Sequence, residues 1–174
     1  MSFDILNIKS PTFLKDLSIN ELEQLCKDIR NFIIENVSKT GGHLSSNLGV
    51  IEATVALHYV FNSPIDKIIF DVGHQCYTHK ILTGRSSEFY KLRKKDGLSG
   101  FLSYEESEHD AWEAGHSSTS LSAVSGLLEA KEVNDNIGEV IAIKKVNNNV
   151  SNPLFLGIIF LLSKKGIARL HIYF

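Results

Sequence analysis

Cysteine, proline and tryptophan are scarce in this 174-residue chain, which holds two, three and one of them. Cys26 and Cys76 lie far apart with no CxxC spacing, so neither a disulfide framework nor a zinc knuckle is expected, and a reducing cytosol fits best. The opening Met-Ser-Phe-Asp lacks the basic-then-apolar pattern of a signal segment, and the expected location is cytoplasmic. A bilayer-spanning helix needs roughly 20 apolar residues, whereas the run Leu154 to Leu162 counts nine, so no membrane partner is expected. A net charge of −2 gives no reason to expect a nucleic-acid partner.

One absence is local. Between Lys144 and Phe174 there is no Asp or Glu, against five Lys or Arg. Residues 1–143 therefore hold 13 basic and all 20 acidic residues, a net of −7, and the chain changes character near position 143.

With 43% apolar and 22% charged residues, the composition is that of a globular protein long enough for one domain with a core. Ser18 and Glu21 have the spacing of a capping box. Leu22, Leu25, Ile29, Phe32, Ile33 and Val37 follow at helical spacing, and Gly41-Gly42 supply the stop. A second helix is expected from Asn47 to Phe61, apolar on nearly every side and therefore buried, ended by Asn62-Ser63-Pro64. Lys67 to Phe70 reads as a buried strand opening into Asp71-Val-Gly-His74. Short helices are expected over Tyr77 to Thr83 and Ser86 to Lys95, then a looser charged stretch to Ala114. A helix using Leu121, Val124, Leu127 and Leu128 follows, and Glu139 to Ile143 reads as a second buried strand. Helices alternating with apolar strands point to the α/β class with a parallel sheet, in which ligands collect at the carboxyl ends of strands. The apolar run after Ile143 reads as one more strand or an ill-packed tail.

Gly, His and Ser concentrate in Gly41-Gly-His-Leu-Ser-Ser-Asn-Leu-Gly49, Asp71-Val-Gly-His-Gln75 and Gly115-His-Ser-Ser-Thr-Ser120. Glycine admits close backbone approach, histidine binds anions or moves protons near neutral pH, and Ser or Thr at a helix start leaves amides for phosphate oxygens. The set suits a phosphate-bearing cofactor. It equally suits capped turns, and from pattern alone both readings stand. Asp71, His74 and His79 could be metal ligands, although their spacing matches no familiar zinc motif. His58 reads as a packed core histidine and His109 as solvated, while His171 carries no reading.

Those three segments, with Glu52-Ala-Thr-Val-Ala-Leu-His-Tyr-Val-Phe61 and His79-Lys-Ile-Leu-Thr-Gly-Arg85, run in order from about Leu14 to Ile143. In them the chain resembles the amino-terminal part of the 1-deoxy-D-xylulose-5-phosphate synthase family, transketolase-like enzymes dependent on thiamine diphosphate. The resemblance implies a three-layer thiamine-diphosphate-binding fold, a parallel sheet with helices on both faces, incomplete in this chain. It implies that His74 and Gly115-His116-Ser117 bind the cofactor and that His43 faces the substrates and serves proton transfer. Family substrates are pyruvate and D-glyceraldehyde 3-phosphate, joined with release of carbon dioxide, and the family enzyme is a homodimer. Magnesium bridges the diphosphate to the protein.

The match fails after Ile143. There the family continues with Gly-Asp-Gly and a later asparagine that ligate magnesium, whereas this chain reads Lys144-Lys145-Val146-Asn147. Lysines repel a hard cation that wants carboxylate oxygen, so no metal ligand is assigned. The family's second domain supplies the glutamate that activates the cofactor, and it is also missing from these 174 residues. The expectation is therefore residues 1–143 as the amino-terminal part of a diphosphate-binding domain, and 144–174 as a divergent tail of out-of-frame composition. A remnant without synthase activity is the favoured reading; a split-transketolase subunit and a histidine-site metalloenzyme are the alternatives.

Overall fold

The computed structural model describes residues 2–134, 136–145, 156–163 and 166–173, and it divides into two units. The first comprises residues 1–61 and 74–102, the second 62–73 and 103–174.

In the first unit, Ser18 and Glu21 form the capping box: Glu21 N donates to Ser18 Oγ at 3.4 Å, and Ser18 N donates to a Glu21 carboxylate oxygen at 2.9 Å. Two free amides are thereby satisfied where α1 (Ile19–Thr40) begins. The helix buries Leu22, Leu25, Cys26, Ile29, Ile33 and Val37, with Phe32 half-buried at the margin of that stripe. Gly41 ends it at φ 76°. The single helix expected from Asn47 is instead two, α2 (Leu44–Leu48) and α3 (Ile51–Val60). Gly49 closes α2, and Val50 leaves helical geometry at φ −128°, ψ 11°. The Val50 carbonyl then accepts Thr54 N and Thr54 Oγ1, at 2.9 and 2.7 Å, which starts α3 afresh. As expected, α3 is deeply buried, through Ile51, Ala53, Thr54, Val55, Leu57 and His58.

The expected helix from Tyr77 is a single turn, α4 (Tyr77–Lys80), running into a π-type turn over Ile81–Arg85 and a 3-10 segment over Ser86–Lys91. The chain kinks at Gly84, whose φ is 92°. A Cβ there would sit 2.6 Å from the Lys9 carbonyl oxygen, so both the turn and the space require glycine.

In the second unit, β1 (Lys67–Phe70) and β2 (Val140–Lys145) pair in parallel, Ile68 opposite Ile141 and Phe70 opposite Ile143. α5 (Ser120–Val133) covers them, packing Ala123 and Val124 on Ile69, Val140 and Ala142, with Trp112, Leu127 and Leu128 at the border. Leu121, an expected core residue, is 41% exposed because the helix turns its small Ala123 to the sheet instead. Asp66 fastens the entry to both strands, accepting Asn62 N at 2.6 Å and Glu139 N at 2.7 Å.

Strand β2 runs two residues past the expected end at Ile143. Lys144 and Lys145 lie in the ladder opposite Ile158 and Gly157 of β3 (Leu156–Ser163), which pairs antiparallel with β2 and with β4 (Gly166–Tyr173). Leu156 to Leu162 of the apolar run are thus one more strand, paired along β2, while Leu154 and Phe155 lie outside the described residues. Among the described residues the sheet order is β1-β2-β3-β4, with parallel pairing confined to β1 and β2. The class is α/β, mixed helix with a small sheet.

Candidate functional site

The first unit gathers three of its own segments around His43. Gly42 brings the backbone so close to Tyr77 that a Cβ would lie 2.7 Å from the phenol oxygen, and His43 N donates to that oxygen at 3.3 Å. Asn47, fully buried in α2, donates through Nδ2 to the carbonyls of His43 (2.7 Å) and His74 (2.8 Å). Its Oδ1 accepts Tyr77 N at 2.8 Å. The imidazoles of His43 and His74 consequently stand with ring centroids 5.3 Å apart at 70°, and Phe101 closes on His43 at 5.7 Å.

Among the described residues, His43 Nδ1 is buried without a hydrogen-bond partner. Burial, and then the positive charge of Arg93, hold this imidazole below the usual histidine value. It is therefore neutral near pH 7 and able to accept a proton. Tyr77 is fully buried, and that burial raises its phenol above the ordinary range, so it stays protonated while its oxygen accepts the His43 amide.

His58 is core, as expected, and 1% exposed; its Nε2 shares a 2.9 Å hydrogen bond with Nδ1 of His79, itself 0% exposed. His79 is thus committed to the core rather than grouped with Asp71 and His74 as a metal ligand. Among the described residues no three His, Cys, Asp or Glu side chains form a group able to hold a metal ion.

The second unit carries Asp71 and the Gly115–Ser120 loop. Val72, β-branched, sits at φ 66° and Gly73 at φ 92°, a left-handed pair directly after β1. Asp71 Oδ1 accepts Ser120 N at 3.4 Å, joining the end of β1 to the start of α5. Gly115, His116 and Ser117 are exposed, and space is open within 4 Å of where a Gly115 Cβ would be. Thr119 Oγ1 donates to the His116 carbonyl at 3.2 Å and shapes the loop. Ser120 Oγ is buried with no hydrogen-bond partner among the described residues. His109 is not solvated: half-buried, it shares a 2.9 Å hydrogen bond with Ser63 Oγ.

Sequence reasoning assigned no role to Asn47, Tyr77 or Arg93. Asn47 did carry a signal, a short polar side chain four residues after His43 on a helical turn that is otherwise Leu and Ser.

A neutral, half-buried imidazole beside a second one is chemically able to accept a proton. The comparisons with known proteins are specific. Residues 5–145 match the sequence model of the family described as 1-deoxy-D-xylulose-5-phosphate synthase. The chain is 60% identical over 140 residues to the 1-deoxy-D-xylulose-5-phosphate synthase of Macrococcus caseolyticus, covering 80% of this chain and 22% of that one. It is 61% identical over 130 residues to that of a Geobacillus species and 59% to that of Bacillus cytotoxicus, each covering 75% of this chain and 21% of the relative. The chain belongs to the 1-deoxy-D-xylulose-5-phosphate synthase family, and it spans about a fifth of the length of the curated relatives it matches. Among the described residues no helix is long and apolar enough to cross a membrane.

Proposed function

We propose that this chain is the amino-terminal, thiamine-diphosphate-binding part of a 1-deoxy-D-xylulose-5-phosphate synthase. The whole enzyme is a cytoplasmic, homodimeric transferase that condenses pyruvate with D-glyceraldehyde 3-phosphate, releases carbon dioxide, and feeds isoprenoid, thiamine and pyridoxal synthesis. In this reading His43 moves protons at the substrates, and His74, Gly115, His116 and Ser117 hold the cofactor. The α/β architecture is then the amino-terminal portion of the three-layer thiamine-diphosphate fold.

The observation that carries the proposal is His43: a neutral imidazole beside His74 whose buried Nδ1 has no hydrogen-bond partner among the described residues. The donor chemistry suits a diphosphate ester of an aromatic heterocycle. Gly115 has open space beside it, and Ser120 Oγ is buried at the start of α5 without a hydrogen-bond partner among the described residues. Thiamine diphosphate, when bound, supplies an electron sink for carbon–carbon bond chemistry. The chain's own part is to orient and to move the proton. Tyr77 and Asn47 fix the His43 backbone, burial keeps the ring neutral, and Nδ1 is the atom left to accept or donate.

Magnesium does not fit the residues present. Lys144 and Lys145 follow Ile143 where the family has its aspartate, and residues 144–174 contain no Asp or Glu. We read residues 1–143 as the diphosphate-binding part and 144–174 as an out-of-frame tail, and the 174-residue chain as inactive alone. Calorimetric titration of the chain with thiamine diphosphate, with and without magnesium, should show weak binding that magnesium does not improve; no binding at all removes the cofactor reading. A turnover assay with pyruvate and D-glyceraldehyde 3-phosphate should give no product. An in-frame Gly-Asp-Gly recovered by a one-base shift in the gene would support the origin of the tail.

A further inference from the structure

We propose that Asn47 is a positioning residue that holds the His43 and His74 segments together and so sets the two imidazoles side by side. This rests on the cofactor reading of those histidines for its purpose, but on geometry for its substance. A carboxamide has two N–H donors and an acceptor oxygen, and this one, fully buried, uses them all. The donors go to the His43 carbonyl at 2.7 Å and the His74 carbonyl at 2.8 Å, and the oxygen takes the Tyr77 amide at 2.8 Å. The amide can face only one way, because turned over it would set its oxygen against two carbonyls.

These bonds reach residues 4, 27 and 30 positions away, so one side chain joins the turn before α2, the loop after β1 and the start of α4. All three partners are backbone atoms, and the tie is therefore indifferent to the protonation of either imidazole. No other side chain of this size can replace it. Aspartate keeps the acceptor but turns both donations into repulsion, alanine removes all three bonds, and glutamine is one methylene too long for a closed site. Asparagine is also a poor helix former, so local propensity does not explain its place in a helix of five residues.

The test compares the full chain with Asn47→Ala and Asn47→Asp. Proton NMR should show a cross-peak between the His43 and His74 rings in the parent chain and lose it in both variants. The His43 ring should titrate higher in the variants, toward an ordinary histidine, as its burial is relieved. Far-ultraviolet circular dichroism should stay that of the parent at a temperature well below melting. Thiamine diphosphate should bind at least tenfold more weakly to each variant. A folded variant that keeps the cross-peak and the parent His43 titration overturns the proposal, as does loss of helical signal in both variants, which would make Asn47 a folding residue. If the parent chain binds no thiamine diphosphate, the cofactor reading falls while the NMR comparison still decides the role of Asn47.

Discussion

The first unit holds two pairs of imidazoles at nearly the same spacing, His43 with His74 at 5.3 Å and His58 with His79 at 5.1 Å between ring centroids. In the second pair both residues are sealed in the core, and a ring-to-ring hydrogen bond of 2.9 Å joins them. In the first pair both residues are half-buried, and His43 keeps a ring nitrogen without a partner among the described residues. Spacing alone therefore does not separate a core histidine from a partly exposed one. What separates the pairs is burial and the bond between the rings: His58 and His79 are 1% and 0% exposed and hydrogen-bonded to each other, whereas His43 and His74 are only half-buried.

The contrast can be broken first by stability. His79→Ala removes a fully buried ring, leaves a cavity and takes away the partner of His58 Nε2; the expected cost is about 3 kcal/mol in urea unfolding. His43→Ala should cost less than about 1 kcal/mol in the same measurement while weakening thiamine diphosphate binding. Equal losses from the two would erase the distinction. Gly42→Ala comes next, with about 2 kcal/mol expected, since its Cβ would meet the Tyr77 phenol and displace the ring that holds the His43 amide. A shift in the His43 titration should accompany that loss, and its absence would disconnect Tyr77 from the site.

The smallest effect is the pH dependence of stability. His43 is held below the ordinary 6.5, so at pH values beneath 6.5 the unfolded chain binds a proton that the folded chain refuses. Its contribution is complete above that value and is lost as the pH falls below it. The ring is only partly buried, so water screens the effect. His43→Gln should make the acid side of the stability curve slightly flatter than the parent's, and a steeper curve would contradict the assigned direction.

Elements whose cause is local were legible in advance. The Ser18–Glu21 box and the stripe from Leu22 to Val37 specify α1, because capping and period require nothing from distant residues. The apolar stretch at Lys67–Phe70 and the one at Val140–Ile143 read correctly as buried strands for a similar reason. The errors share a different cause. Gly49 and Val50 break what looked like one helix because Val50 turns its carbonyl to Thr54. Leu121 faces outward because the close fit of α5 on β1 and β2 favours Ala123 at the contact. Lys144 and Lys145 join a strand because a ladder partner lies opposite them, whatever their own preference.

By itself the sequence determined the α/β class, the family, and the segments that carry the glycines and histidines of the candidate site. It also determined the change after Ile143, since a carboxylate that is not encoded cannot be recovered by folding. Only the tertiary structure decided which histidines are sealed in the core and which stay partly exposed. That outcome depends on hydrogen bonds between residues some 20 to 30 positions apart, such as His58 to His79 and Asn47 to the His74 carbonyl, and no local pattern encodes them.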